Sequence, residues 1–259
     1  MRSFFQILSC RIVGFLAFLR LPPWLLKPVI KTYSRMYHVS VHLFDMNVQN
    51  YRCFNDFFIR KFKPGVRLFS GTLASPVDGT LYASGPINQQ TLLQIKSQPI
   101  TVPDLLTHPD KTINKYCSFY LAPGDYHRVH APCNMTIHSV TYVPGAFYSV
   151  SPQVARKKPI FLKNERVIIH ATSSSGPVYL IMIAALNVGN ISLKVLNDDA
   201  FSHKQKTSIT DNFPGQVNYK QGDEIGKFNF GSAVVLLTSE KVAENKTLRK
   251  IQLGTSLLS

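Results

Sequence analysis

The sequence is poor in residues that would staple the chain or carry it across a bilayer. Its four cysteines, Cys10, Cys53, Cys117 and Cys133, form no CxxC pair and no spacing of a disulfide framework, so a reducing compartment is the simpler setting. The longest uninterrupted apolar run near the start, Ile12 to Leu19, falls far short of the ~20 residues that a membrane-spanning helix needs. Arg2 and Arg11 interrupt that region and no small-x-small pattern follows, so a cleaved secretory leader is not expected. Internal repeats and low-complexity tracts are absent. Acidic side chains are scarce, 14 against 29 Lys and Arg, for a net charge of +15. The imbalance is concentrated in residues 1–67, which carry 11 Lys and Arg against two Asp. That bias points to an anionic partner, a lipid surface or a nucleic acid. An apolar content of 45% excludes wholesale disorder.

What is present falls into two textures. Residues 2–20 read as an amphipathic helix with Arg2, Gln6, Ser9 and Arg20 on one side and a wide Phe- and Leu-rich remainder, the composition of an interfacial anchor. Leu21-Pro-Pro breaks it, and the only tryptophan, Trp24, follows where an interface belt would place one. Further helices are expected from Trp24 to Met36 and from Asn55 to Arg60. Apolar residues interleave with this basic stretch, which favours a membrane over a nucleic acid. Lys63–Arg67 is a turn and the expected boundary between a helical membrane-association region, 1–67, and a β-rich catalytic domain, 68–259.

Beyond the boundary short strands alternate with Gly/Pro turns. Strands are expected at Thr80–Ser84, Thr91–Lys96, Ser118–Leu121, Met135–Val143, Arg166–Ala171, Val178–Leu186, Ile191–Leu196 and Ala233–Leu237. Val178–Leu186 is apolar throughout and should be central; Ile191–Val195 alternates and should have one wet face. Phe201–Gly215 reads as a loop. The fold class is therefore α+β, mostly β: N-terminal amphipathic helices followed by an antiparallel sandwich or barrel-like domain.

Three stretches carry candidate chemistry. Ser75–Gly79 is a tight turn holding Asp78, whose ordinary role is to bond its own backbone. Pro123–Cys133 holds His127 and His130, flanked by Asp125, Tyr126 and Arg128, in a loop leading into a strand. His127, His130 and Cys133 have the flavour of a zinc site, but no fourth ligand stands at a standard spacing, and no metal is expected. The third stretch is Gly222–Leu237, a turn bracketed by Gly222 and Gly226 and then a buried strand, with Gly231-Ser232 between them. An ordinary loop Gly-Ser is one reading. The other is self-cleavage. Ser232 Oγ attacks the Gly231 carbonyl to form an ester, and glycine tolerates the strained backbone this needs. Removal of the Ser232 α-proton expels the ester by β-elimination, and the dehydroalanine left behind hydrolyses to ammonia and a pyruvoyl group. A histidine to take the hydroxyl proton and an aspartate to orient it would serve such an attack.

The combination resembles the phosphatidylserine decarboxylase family. It rests on Phe54–Arg60, Lys63–Arg67, Ser75–Gly79, Asp125–Cys133, Asn164–Arg166, Asn187–Gly189 and Gly226–Ser232, which occur in family order. The resemblance implies a proenzyme that cleaves between Gly231 and Ser232 into a β chain, 1–231, and an α chain, 232–259. It implies a self-cleavage triad of Asp78, His130 and Ser232, with His127 beside the pyruvoyl for substrate binding or protonation. It implies a covalent pyruvoyl cofactor derived from Ser232, which forms a Schiff base with phosphatidylserine and yields phosphatidylethanolamine after loss of CO2. Expected partners are phosphatidylserine, an anionic membrane surface and the two chains of one precursor, and a homodimer is compatible with it. The expected location is peripheral, on the cytoplasmic side of the bacterial inner membrane. The chain departs from the family in having Ala233 where a hydroxyl residue usually follows the cleavage serine, and Phe230 in place of the commoner leucine. Two other classes remain open on residues alone: a serine hydrolase with an intact chain, and a non-catalytic module that binds anionic lipid.

Overall fold

The apolar run at Ala233–Leu237 becomes the middle of the largest sheet. A computed structural model of the chain describes residues 15–92, 100–151, 160–185, 191–198, 207–229 and 232–258. Its helices are α1 (Pro23–Met36), α2 (Phe54–Phe58), α3 (Val102–Leu106) and α4 (Ile160–Lys163). Its strands, in chain order, are β1 (Gly79–Pro86), β2 (Thr91–Leu92), β3 (Ile100–Thr101), β4 (Lys115–Leu121), β5 (Arg128–His130), β6 (Met135–Val143), β7 (Arg166–Ser173), β8 (Gly176–Ala184), β9 (Ile191–Leu193), β10 (Ile209–Tyr219), β11 (Glu224–Phe228), β12 (Ser232–Thr238) and β13 (Arg249–Ile251). The protein is α+β and mostly β, with helices first and antiparallel sheets after them.

Eight strands form one sheet in the order β10-β6-β7-β8-β12-β4-β1-β13. Every residue of β12 is buried. It pairs with β4 on one side, Ser232 opposite Leu121, and with β8 on the other, Ser232 opposite Ala184. Such a continuous Val/Leu run suits a strand covered on both faces. β8 is likewise interior, as its uniform apolarity predicts. A second, three-stranded sheet has the order β5-β11-β9, and β2 pairs with β3.

The helical segment rests on the β-rich body through a small core of its own. Leu26 and Ile30 of α1 and Phe57 of α2 pack with Val39, Phe44 and Tyr51, and also with Tyr126 and Leu253 from the far side of the sequence. Tyr33 Oη donates to the Pro123 carbonyl at 2.6 Å. The other face of the helical segment is apolar and open: Phe15, Phe18, Trp24, Val29 and Met36 are exposed. No helix among the described residues is long and apolar enough to cross a membrane.

Several expectations are revised. The supposed loop at Phe201–Gly215 is strand from Ile209 onward, paired with β6 and bulged between Asn212 and Val217. An edge strand keeps a wet face and so reads as polar. Residues 201–206 lie outside the described residues, as do 93–96 of the Thr91–Lys96 strand and most of the 2–20 helix, of which 15–18 are helical. Ile191–Leu196 ends as strand at Leu193, and Lys194–Leu196 is a 3-10 turn. Its expected wet face is absent, because Ile191, Ser192 and Leu193 are all buried. Gly226 belongs to strand β11, and no turn uses it: a Cβ there would sit 2.4 Å from the Ser192 carbonyl oxygen, so glycine is needed for close approach. β3, β5 and β13 are two or three residues long and carry no period that a sequence can display.

Gly124 marks the contact of the two regions, since a Cβ at this position would lie 2.3 Å from the Tyr37 carbonyl oxygen. Gly124→Ala is expected to lower stability by about 1–3 kcal/mol through overpacking. Gly215→Ala, with nothing within 4 Å, should stay within about 0.5 kcal/mol of wild type. Urea denaturation of both variants checks the difference.

Candidate active site

His127 immediately precedes β5 and His130 ends it. The antiparallel ladder sets His130 opposite Glu224 and Arg128 opposite Lys227. One step further the Phe228 N–H donates to the His127 carbonyl at 2.9 Å. Only residues 229–231 then separate β11 from Ser232, the first residue of β12. A chain of that length spans at most about 14 Å between the Phe228 and Ser232 Cα atoms. His127 therefore sits where the link to Ser232 departs, and His130 sits at the end next to the 220–223 turn. The Asn55 side chain, on α2, reaches Asn229 in this link at 3.4 Å. Gly231 and Phe230 lie outside the described residues.

The two rings are held alike but presented differently. His127 Nδ1 donates to the Asp125 carbonyl at 2.8 Å, and His130 Nδ1 donates to the Gly222 carbonyl at 2.7 Å. A carbonyl only accepts, so each ring carries its proton on Nδ1 and offers Nε2 as an acceptor. The Nε2 of His130 accepts from Tyr126 Oη at 3.2 Å. The Nε2 of His127 is buried and has no hydrogen-bond partner among the described residues. Neither has the Oγ of Ser232, which is buried as well. An unsatisfied buried polar atom costs roughly 1–3 kcal/mol, and such atoms in a native structure call for a chemical reason. The basic nitrogen of His127 and the hydroxyl of Ser232 are a potential acceptor and donor on the two sides of one short link.

Asp78 is engaged elsewhere. Its carboxylate takes a two-pronged ion pair from Arg67, at 3.0 and 2.7 Å, and the Leu253 N–H at 2.7 Å. The Ser75–Gly79 turn is stitched to the histidine segment by the backbone, His130 N–H to the Pro76 carbonyl at 2.9 Å and Ala74 N–H to the Pro132 carbonyl at 2.8 Å. Asp78 is thus close enough to act on His130 through space, while the Gly222 carbonyl orients the ring. The structure brings Asp78 and His130 to one neighbourhood without a hydrogen bond between them, and Ser232 Oγ bonds to neither. His127, His130 and Cys133 do not gather as a ligand set among the described residues.

Burial lowers the pKa of both rings. For His127 it acts first, the Arg60 guanidinium adds to it, and together they push the ring down to about 3. For His130 burial is again the largest cause; the Gly222 carbonyl and the Glu224 carboxylate oppose it. Both rings are therefore neutral acceptors at physiological pH. The cysteines are unlike reactive thiols: burial raises Cys117 to about 12 and Cys133 to about 11.

A family model for phosphatidylserine decarboxylase matches residues 54–259. The chain belongs to the phosphatidylserine decarboxylase family. It is 38% identical to a phosphatidylserine decarboxylase proenzyme of Legionella pneumophila, over 80% of this chain and 77% of that protein. Similar relatives bearing the same name are found in Methylobacillus flagellatus, 34% identical over 91% of this chain and 86% of that one, and in Marinobacter nauticus, 32% identical over 96% and 92%. Membership makes this chain an enzyme, a carboxy-lyase of phospholipid biosynthesis whose relatives are named as proenzymes.

Within the family-like segments the structure separates bracing from chemistry. Asn164 bonds the backbone of Tyr148 and Ala184, and Arg166 bonds the carbonyls of Asp104, Leu105 and Leu162; both hold the sheet to its short helices. Sequence reasoning gave no role to Tyr126, whose hydroxyl bonds His130, to Phe58, which lies against the His127 ring, or to Arg60, which shares the Asp125 carbonyl with that ring. The available signal was their place in the same segments that carry the resemblance.

The His127 ring has a pH consequence. Its folded pKa lies near 3 against 6.5 for the free ring, so between these values the unfolded chain binds a proton that the folded chain refuses. Stability therefore rises with pH across that window and falls on acidification, by up to about 1.4 kcal/mol per pH unit for one ring. Urea midpoints taken from about pH 6.5 to 5 should fall more steeply for wild type than for His127→Gln.

Proposed function

We propose that this chain is a self-processing proenzyme that decarboxylates phosphatidylserine to phosphatidylethanolamine, with a pyruvoyl group made from Ser232 after cleavage at Gly231–Ser232. The observation that carries the reading is the buried, unpartnered Ser232 hydroxyl at the head of β12, immediately after Gly231 in a member of this family. A free Oγ has no hydrogen bond to break before it attacks. A ketone at that position, adjacent to an amide carbonyl, supplies the electron sink that loss of CO2 from an amino acid headgroup requires. The surrounding residues exclude water: Leu121, Ala184 and Ala233 beside Ser232 are all buried.

In this reading Asp78 and His130 assist self-cleavage and His127 handles the proton in turnover. A second reading is favoured by the open Nε2 of His127: His127, whose acceptor is not already taken by a tyrosine, receives the Ser232 proton itself. The alternatives separate cleanly. On the first, His130→Ala accumulates uncleaved chain and His127→Ala is cleaved but turns over at least about 100-fold more slowly. On the second, His127→Ala stays uncleaved. Gel analysis of both variants decides between them.

The decisive experiment for the function is intact-mass analysis. Wild type should appear as two chains splitting after residue 231, the shorter one resistant to Edman sequencing because a keto acid cap has no amine. Ser232→Ala should remain one chain and release no CO2 from phosphatidylserine. A wild-type protein that decarboxylates as a single intact chain would sink the proposal.

The same reading places the protein on the cytoplasmic face of a bacterial membrane as a peripheral enzyme. The exposed apolar row of α1 and its neighbourhood, Phe15, Phe18, Trp24, Val29 and Met36, stands among Lys27, Lys31 and Arg35, which favours an anionic surface at about 1 kcal/mol per basic residue. Trp24→Glu with Val29→Glu should abolish co-sedimentation with phosphatidylglycerol-containing vesicles and leave self-cleavage intact. Undiminished co-sedimentation would show that this face is not the docking surface.

A further inference from the structure

Arg60 is an unusual residue to bury. It is 2% exposed, and among the described residues no carboxylate pairs with it. Its guanidinium lies over the rings of Phe44 and Phe57, 4.7 and 5.2 Å from their centroids. One of its terminal nitrogens turns back on the end of α2, toward the carbonyls of Phe57 and Phe58 at 3.5 and 3.3 Å. The other crosses to the histidine loop and donates to the Gly124 and Asp125 carbonyls at 2.7 and 2.8 Å.

The last of these contacts connects Arg60 to the chemistry. The Asp125 carbonyl oxygen that receives Arg60 also receives His127 Nδ1, at 2.8 Å in both cases. A carbonyl oxygen has two lone pairs, and here one goes to the guanidinium and the other to the imidazole. The shared oxygen obliges the ring to keep its proton on Nδ1. Two residues earlier, Phe58 packs against the ring itself, centroids 4.2 Å apart. A single segment, Phe58 to Arg60, thereby packs on the ring, anchors the carbonyl that fixes its tautomer and adds to the burial that keeps it uncharged. The other groups around His127 do not compete. The Asp125 carboxylate is turned to the Ala122 N–H and to Lys250, Arg128 is paired with Glu224, and the Phe228 N–H donates to the His127 carbonyl.

We propose that Arg60 is a positioning residue for the reaction, holding His127 as the neutral Nδ1–H tautomer so that its Nε2 stays open as a proton acceptor toward Ser232. The inference rests on the reading of His127 as a proton-handling residue. A generic helix fastener would leave the histidine's protonation untouched, whereas Arg60 acts on it through one shared oxygen and through its charge, which adds to burial in keeping the ring unprotonated.

The test uses full-length protein labelled with 15N-histidine, as wild type, Arg60→Met and Arg60→Gln. Glutamine is a shorter, uncharged amide donor, and it serves where the methionine variant does not fold. In wild type the His127 ring nitrogens should show the Nδ1–H tautomer and no titration between about pH 5 and 8. In either variant the His127 pKa should rise by at least about one unit. The acid limb of the pH profile for decarboxylation should move up by the same amount, while KM stays within about twofold. A folded variant whose His127 resonances and pH profile match wild type would overturn the proposal. So would a wild-type ring that titrates near 6.5 or carries its proton on Nε2. Failure of the underlying reading looks different: His127→Ala would then process and turn over normally, whatever the spectra of the Arg60 variants show.

Discussion

The hydrogen bond from the Phe228 N–H to the His127 carbonyl is the joint on which the site depends. It closes the β5–β11 ladder and brings two segments about a hundred residues apart in sequence to within one short link of each other. On one side of the joint β11 is clamped between β5 and β9. On the other β12 is locked between β4 and β8 along its full length. Three residues, 229–231, join the two elements.

The helical segment contributes more than an apolar face. Its short helix α2 sends Asn55 to Asn229 in the link, Phe58 to the His127 ring and the nearby Arg60 to the Asp125 carbonyl. Arg128 returns the contact by donating to the carbonyls of Ile59 and Arg60 while it pairs with Glu224. Two guanidiniums thus satisfy the carbonyls at the end of α2, which a helix leaves without intrahelical partners, and both tie that end to the strands that bear the histidines. The same segment that exposes Trp24 and Val29 is therefore in direct mechanical contact with the site.

The polar interior follows from this arrangement. Ser232 and His127 are each fully buried, and each keeps one polar atom without a partner. Neither orphaned atom contributes to stability. Asp78 shows the opposite economy, with both carboxylate oxygens engaged by Arg67 and Leu253. It braces the turn that runs beside His130, and its influence on that ring is exerted through space.

Much was legible in the residues alone. The apolar runs at Val178–Leu186 and Ala233–Leu237 became interior strands, buried on both faces from Val178 to Ala184 and along all of β12, and Met135–Val143 became a strand with a partly wet face. The Leu21-Pro-Pro break and the helix ending at Met36 followed from local backbone chemistry. The family was legible in the Asp125–Cys133 and Gly226–Ser232 blocks, and with it the identity of the residues to watch. What local sequence could not display was decided by partners distant in the chain. Gly226 read as a turn and proved a point of close strand approach, and Ile209–Tyr219 read partly as a loop and proved an edge strand. Above all, sequence order cannot say which lone pair stays free. Tyr126 fills the acceptor of His130, the Asp125 carbonyl sets the tautomer of His127, and Arg67 claims Asp78. Those assignments depend on angstrom-scale distances between side chains, which only the packed tertiary structure determines.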